Sequence, residues 1–340
     1  MKRGNKKEAR RLAVHAGIFV SVMALTFWSV FRGQDFAQIA AAVRQMSGGC
    51  MAAAVFLAVF FVAGEGCMIW YLLRGIGERT TLPRCISYSF IGFFFSGITP
   101  SATGGQPMQL YYMRKDGNAL SQASVVLMTV AVLYKFVLAL IGAGILLFWR
   151  APLRMYLQGY YGLYFLGLFL NVVLVAALVM VMFSPGIIRK CFYRVEGLLV
   201  RLRLWRHSVP RREKVDQFLA GYHETVCFLR SHKRMLVITT VGTFVQRCSV
   251  FLLTYVVYCG LGLSGTAMLD IVLLQAAVCI AVDMLPVPGA QGITEAMYRT
   301  VFQGIFAGNY LVVSVCITRG VSFYLVLFLG LAVYCAARRR

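Results

Sequence analysis

Thr99-Pro100-Ser101-Ala102-Thr103-Gly104-Gly105-Gln106-Pro107 interrupts an apolar stretch. Residues 85–98 before it are apolar but too few to cross a bilayer, which takes about 20 residues of helix. Residues 108–113 after it are apolar again. Two prolines and two glycines stop a helix. Hydrocarbon offers no hydrogen-bond partners, so backbone that leaves a helix at membrane depth is buried in protein or lines a wet cavity. A second break, Pro286-Val287-Pro288-Gly289-Ala290-Gln291-Gly292, lies in the other half. Paired Gly/Pro interruptions of apolar segments in two halves point to a transporter's binding region.

Composition sets the class. The chain has 340 residues, 60% of them hydrophobic, and a mean hydropathy of +0.75. Several apolar runs are long enough to span a bilayer, which makes this an all-α polytopic membrane protein. A net charge of +22 would suggest nucleic acid in a soluble protein. Here the charge sits mostly in loops, so it reads as positive-inside bias and contact with anionic inner-leaflet headgroups, with no nucleic-acid partner. The ten cysteines are scattered, mostly within apolar runs, without CxxC or other ligand spacing. They read as packing residues, and neither a metal nor a cofactor is expected. Residues 2–11 are basic and 12–31 apolar, a run too long for a signal-peptide core, so they read as a retained first span.

In chain order the spans are 12–31, 50–73, 119–149, 160–183, 235–259 and 310–337. Re-entrant hairpins fill 85–113 and 267–306, and loops fill the rest, including 150–159. Charge tests this arrangement. With each hairpin returning to the face it enters, one face holds six Lys/Arg before the first span, three in 74–84, two at 114–115, twelve in 184–234 and three at the end. The other face holds only Arg32, Arg44, Arg150, Arg154 and Arg299. The positive-inside rule then puts both termini and the loop 184–234 in the cytoplasm. Residues 1–159 and 160–340 become two membrane repeats of opposite orientation, each reading span, span, hairpin, span. The repeat is one of pattern, not of residue identity.

Within 184–234, Val215, Phe218, Leu219, Tyr222, Val226 and Leu229 recur at helical spacing opposite Lys214, Asp216, Glu224 and Arg230. Arg201, Arg203, Arg206, Arg211 and Arg212 precede them. This amphipathic helix either lies on the anionic leaflet or packs on the bundle, and the two are compatible. His207, His223 and His232 lack ligand spacing and read as solvated.

Ionisable residues at membrane depth face a partner or a wet cavity. This chain has Glu65, Lys135, Arg247, Asp270, Asp283, Glu295 and Arg319. Glu65 and Arg247 fall on corresponding spans of the two repeats, as do Lys135 and Arg319. Asp283 and Glu295 flank the second break, and Asp270 fits an interfacial position. Three cations suit a substrate that brings a phosphate, and the carboxylates balance them or bind an amine. The plainer readings are ion pairing that holds the bundle and, for Glu295, capping of its own helix. Ser101, Thr103 and Gln106 accompany the first break and could satisfy freed backbone or contact a headgroup. The helix breaks are Pro100, Gly104, Gly105, Pro107, Pro286, Pro288, Gly289 and Gly292. No phosphate loop, dinucleotide fingerprint, nucleophile elbow or zinc-protease motif is present, so no catalytic residue is assigned.

The run from Thr99 to Tyr112, with Pro286-x-Pro-Gly-x-x-Gly-x-x-Glu295, resembles the flippase-like family typified by the transmembrane region of lysylphosphatidylglycerol synthase. The resemblance covers essentially the whole chain. It implies an inner-membrane protein that moves phospholipid, such as lysyl-phosphatidylglycerol, between leaflets. It also implies a link to lipid metabolism and to resistance against cationic peptides. The full-length synthase adds a soluble domain that transfers lysine from lysyl-tRNA to phosphatidylglycerol. This chain stops at Arg340, and no such domain is expected in it.

The leading expectation is therefore a phospholipid translocator. Phosphatidylglycerol lysyltransferase activity, with a separate lipid-modifying enzyme as partner, is one rival, and transfer of lysine from charged tRNA decides it. A non-transporting scaffold is the other; it gains little from burying charge.

Overall fold

The computed structural model describes residues 41, 43–44, 46–99, 102–184, 186, 189–190, 193–194, 196, 209–285, 292–306, 308 and 310–339, with backbone only for 209–212. The expected first span, Pro100, Ser101, Pro286, Pro288, Gly289 and the arginines and histidine at 201–207 lie outside the described residues, and so do the side chains of Arg211 and Arg212.

The described chain is helical, without strands. Its helices are α1 (Gly48–Gly75), α2 (Leu82–Ile98), α3 (Gly105–Lys115), α4 (Leu120–Phe148), α5 (Arg150–Leu157), α6 (Tyr161–Phe183), α7 (Val209–Ser231), α8 (Lys233–Gly260), α9 (Met268–Val282), α10 (Ile293–Phe302), α11 (Tyr310–Arg319) and α12 (Val326–Arg338). Five stretches are long and apolar enough to cross a membrane: α1, α4, Arg150–Phe183, α8 and Tyr310–Arg338. The arms α2 and α9 are apolar but short. With the matching apolar pattern, this is a multi-pass α-helical membrane protein.

The most extensive helix pair is α1 with α8. Ala54, Ala58 and Val62 form a buried row at four-residue spacing on α1, and small side chains let helices in lipid approach closely. Gln246 of α8 donates from Nε2 to the Phe61 carbonyl at 2.6 Å, which ties the pair. Around it, contacts recur in matched sets: α1 packs on α2 and α8 on α9, α2 on α3 and α9 on α10, α3 on α4 and α10 on α11. Among the described residues the hairpins α2–α3 and α9–α10 make no extensive arm-to-arm contact. They connect instead through α1, α4, α8 and the last span.

Three local features refine the sequence reading. Residues 150–159, expected as a loop, form α5 and the short 3-10 turn that follows it: Leu153 and Leu157 are buried while Met155 and Arg154 are outside, so one amphipathic face suffices. α7 turns Leu219, Tyr222, Val226 and Leu229 inward against the bundle, mainly onto α4. The last span changes from α to π geometry over Gly320–Leu325, directly after Arg319, and such segments are frequent at functional sites.

Candidate functional site: buried charges between two hairpins

The tip of the first hairpin is built by Thr99. Its Oγ1 donates to the Phe95 carbonyl at 2.7 Å and accepts from the Gly104 N–H at 2.9 Å, which closes the turn on itself. Gly104 and Gly105 both have ordinary helical backbone. They are small because α3 folds back onto α2: a Cβ on Gly105 would lie 2.0 Å from Ser96 Oγ and 2.7 Å from the Gly92 carbonyl. Pro107 does not break a helix; it sits in the first turn of α3, where a missing N–H leaves no bond unmade. Thr103 and Gln106 are exposed at this tip. The polar side chain that reaches inward is Gln109, one turn later and 4% exposed.

Gln109 Nε2 donates to Glu65 Oε1 on α1 at 2.6 Å. Gly92 on α2 clears the way, since a Cβ there would lie 2.4 Å from Gln109 Nε2. The first hairpin is thereby pinned to α1 by one amide–carboxylate bond between its second arm and Glu65.

The second hairpin is held by two ion pairs. Lys135 of α4 bonds through Nζ to Asp283 Oδ2, at the end of α9. Arg319 Nε donates to Glu295 Oε1 at 2.8 Å. Glu295 Oε2 accepts the Gly292 N–H at 2.6 Å, so the same carboxylate caps α10 and neutralises Arg319. Gly292 enters that helix at φ +81°, a backbone that favours glycine. Asp270 sits in the first turn of α9, where a carboxylate favours the helix dipole.

Arg247 of α8 differs. Its side chain is buried, with the residue 5% exposed. Its guanidinium carbon lies 3.3 Å from the Tyr134 ring centroid and 4.9 Å from that of Phe61. Arg247 Nε and Nη2 have no hydrogen-bond partner among the described residues. Glu65 and Asp283 both lie near enough to attract its charge. Glu65, Arg247, Asp283 and Lys135 are therefore one electrostatic set, contributed by α1, α8, the end of α9 and α4. No group of three metal-ligating side chains exists among the described residues, and the described cysteines are unpaired.

Sequence reading singled out all six of these charges. It missed Thr99, Gln109, Tyr134 and Phe61. Gln109 had a signal: it is the lone amide within the apolar arm 108–113. Phe61 had none, because an aromatic residue in an apolar span looks like any other.

Two hairpins laced into a bundle of spans by buried charges define a polytopic helical membrane protein with polar side chains at membrane depth. The chain belongs to the lysylphosphatidylglycerol synthase TM region family, whose family model matches residues 14–330. It is also similar to the UPF0104 membrane protein PH1989 of Pyrococcus horikoshii, 28% identical over 270 residues, which cover 76% of this chain and 78% of that protein.

Proposed function

We propose that this protein translocates phospholipid between leaflets of the cytoplasmic membrane, moving an anionic or aminoacylated lipid such as lysyl-phosphatidylglycerol. One observation carries the reading: Glu65, Arg247, Asp283 and Lys135 come from different segments and converge in one electrostatic set where spanning helices meet broken ones. Burying these groups in a bundle that hydrophobic side chains could fill is costly. A headgroup pathway gives that cost a use, because a zwitterionic or charged headgroup crossing the membrane core needs both signs of charge along its way.

The matched helix contacts support two repeats, residues 1–159 and 160–340, related by inverted topology. In such a frame, rocking one hairpin against the other side of the bundle exposes the charges to each face in turn. The Lys/Arg-rich loops orient both termini and α7 to the cytoplasm. On that side a cleft of about 380 Å³ opens between α2, α3 and α12. Arg84, Ser87, Lys115 and Asp116 line it together with apolar Ile91 and Val333, a lining suited to an amphiphile whose headgroup carries charge. Transfer of lysyl-phosphatidylglycerol would connect the protein to cationic-peptide resistance.

The test is reconstitution. Liposomes carrying the protein should move fluorescently labelled phosphatidylglycerol or its lysyl ester across the bilayer faster than empty liposomes. Equal rates for a panel of headgroups would remove the proposal.

A further inference from the structure

Among the described residues, two of the three cations at membrane depth make ion pairs with carboxylates, and Arg247 makes none. Lys135 is held by Asp283 and Arg319 by Glu295. Arg247 has rings instead. Its guanidinium carbon sits over the Tyr134 ring at 3.3 Å and over the Phe61 ring at 4.9 Å, contacts that do not use its N–H donors. The two unpartnered atoms, Nε and Nη2, are neighbours on one edge. Their N–H bonds point the same way, in the side-on fork that matches two oxygens of one oxyanion.

A buried arginine edge without partners is costly to keep, since each unmade bond of a charged donor forfeits the full desolvation of that group. Simple packing would favour a leucine or methionine at this position of α8. Solvent does not reach Nε or Nη2 in this conformation, so the edge is closed here. The ties around it are unequal: the second hairpin carries two ion pairs, while the first is pinned through the amide of Gln109 to Glu65, a carboxylate within range of Arg247.

We infer that Arg247 is the oxyanion receptor of the pathway: its Nε/Nη2 edge takes two oxygens of a phosphodiester side-on, with Tyr134 as the positioning residue that holds the guanidinium plane. This deepens the lipid-translocation reading and rests on it. The Lys135 and Arg319 pairs then serve to anchor the second hairpin, not to grip phosphate. Lysine cannot replace arginine in this role, because an ammonium presents a point charge and no planar fork.

The experiment uses the full chain in detergent and reads thermal unfolding against added ligand, since binding to the folded state alone raises the melting temperature. Dioctanoyl-phosphatidylglycerol should raise it, and dioctanoylglycerol, which lacks the phosphate, should not. Inorganic phosphate matching the phosphatidylglycerol response would keep Arg247 as an oxyanion receptor but assign it to free phosphate. Arg247→Lys should shift the half-saturating phosphatidylglycerol concentration at least about tenfold upward, the loss of one charge-assisted fork. Tyr134→Phe should leave it unchanged and Tyr134→Ala should weaken it. An Arg247→Lys response equal to wild type overturns the inference. Should Arg247→Lys fail to fold, wild-type protein is photolabelled with phosphatidylglycerol bearing a diazirine in its headgroup. Labelling within one turn of Arg247 or Tyr134 supports the inference, and labelling only elsewhere overturns it. Leaflet transfer is measured on the same preparation. Transfer without dependence on Arg247 removes this inference alone, and binding at Arg247 without transfer removes the translocation reading alone.

Discussion

Gln109 Nε2 lies 2.6 Å from Glu65 Oε1, and this bond ties the second arm of the first hairpin to the neighbouring span α1. It joins a motif at the break to a charge on an uninterrupted helix. Motif and charge are thus two ends of one contact.

Breaking that tie should loosen the hairpin. Gln109→Leu leaves the Glu65 carboxylate without its donor, a loss of about 2 kcal/mol for a hydrogen bond to a charged group. Glu65→Gln with Gln109 intact keeps an amide–amide bond and should lose less. Gly92→Ala should resemble Gln109→Leu, because its methyl would fall 2.4 Å from Gln109 Nε2 and push the amide off Glu65. Denaturant unfolding of the three variants in one detergent ranks them; Gly92→Ala at wild-type stability would refute the packing argument.

Lys135 and Asp283 make a separable prediction. Their side chains are 17% and 14% exposed, so the pair is mostly out of solvent. Lys135→Met or Asp283→Leu alone strands one charge and should destabilise by about 3 kcal/mol. The double variant should recover to within about 1 kcal/mol of wild type, because a hydrophobic pair fills the space without desolvation. Additive losses in the double-mutant cycle would show that the two side chains are not coupled.

Glu295 has two duties that substitution can divide. Glu295→Gln retains an oxygen for the Gly292 N–H but removes the negative charge that pairs with Arg319. Glu295→Ala loses both. The alanine variant should be the less stable by about 1 kcal/mol, the usual worth of a helix cap. Equal melting temperatures would mean that the cap contributes nothing.

Helix approach is tested at Gly66. A Cβ there would fall 2.5 Å from the Ile86 Cα of α2, a clash with backbone that cannot rotate away. Gly66→Ala should lose about 3 kcal/mol or fail to insert. Gly144→Ala on α4 meets nothing within 4 Å and should gain up to about 1 kcal/mol from helix propensity. A silent Gly66→Ala would place α1 and α2 farther apart than described.

The fold and the charges were legible for one reason. Long apolar runs give spans directly, and Pro/Gly clusters at membrane depth give hairpins, because both follow from a lack of water. Ionisable residues in those runs stand out for the same reason, so Glu65, Lys135, Arg247, Asp283, Glu295 and Arg319 were all found. Their pairing was not legible. Lys135 and Asp283 are 148 positions apart, and no local pattern says which carboxylate a lysine meets. The helix α5 hid because Arg150 and Pro152 resemble loop residues, and its few apolar side chains form a face only once wound. The Gly104-Gly105 pair looked like a turn; it serves close approach, which depends on a neighbour that the local sequence does not name.

The central claim is the proposed one: a hairpin rocks against the bundle and phospholipid crosses as it does, and the first hairpin, pinned to α1 through Gln109 and Glu65 without an ion pair, is the one to test. The most direct measurement locks that motion. Phe94 of α2 stacks on Tyr334 of α12 with ring centroids 6.1 Å apart, so Phe94→Cys with Tyr334→Cys, in a background with the native cysteines replaced, can be bridged by a short reducible bis-thiosulfonate. In liposomes, transfer of labelled phosphatidylglycerol should fall to the empty-liposome rate after bridging and return on reduction. Transfer that continues unchanged with the hairpin bridged, or that never exceeds empty liposomes before bridging, would contradict the account.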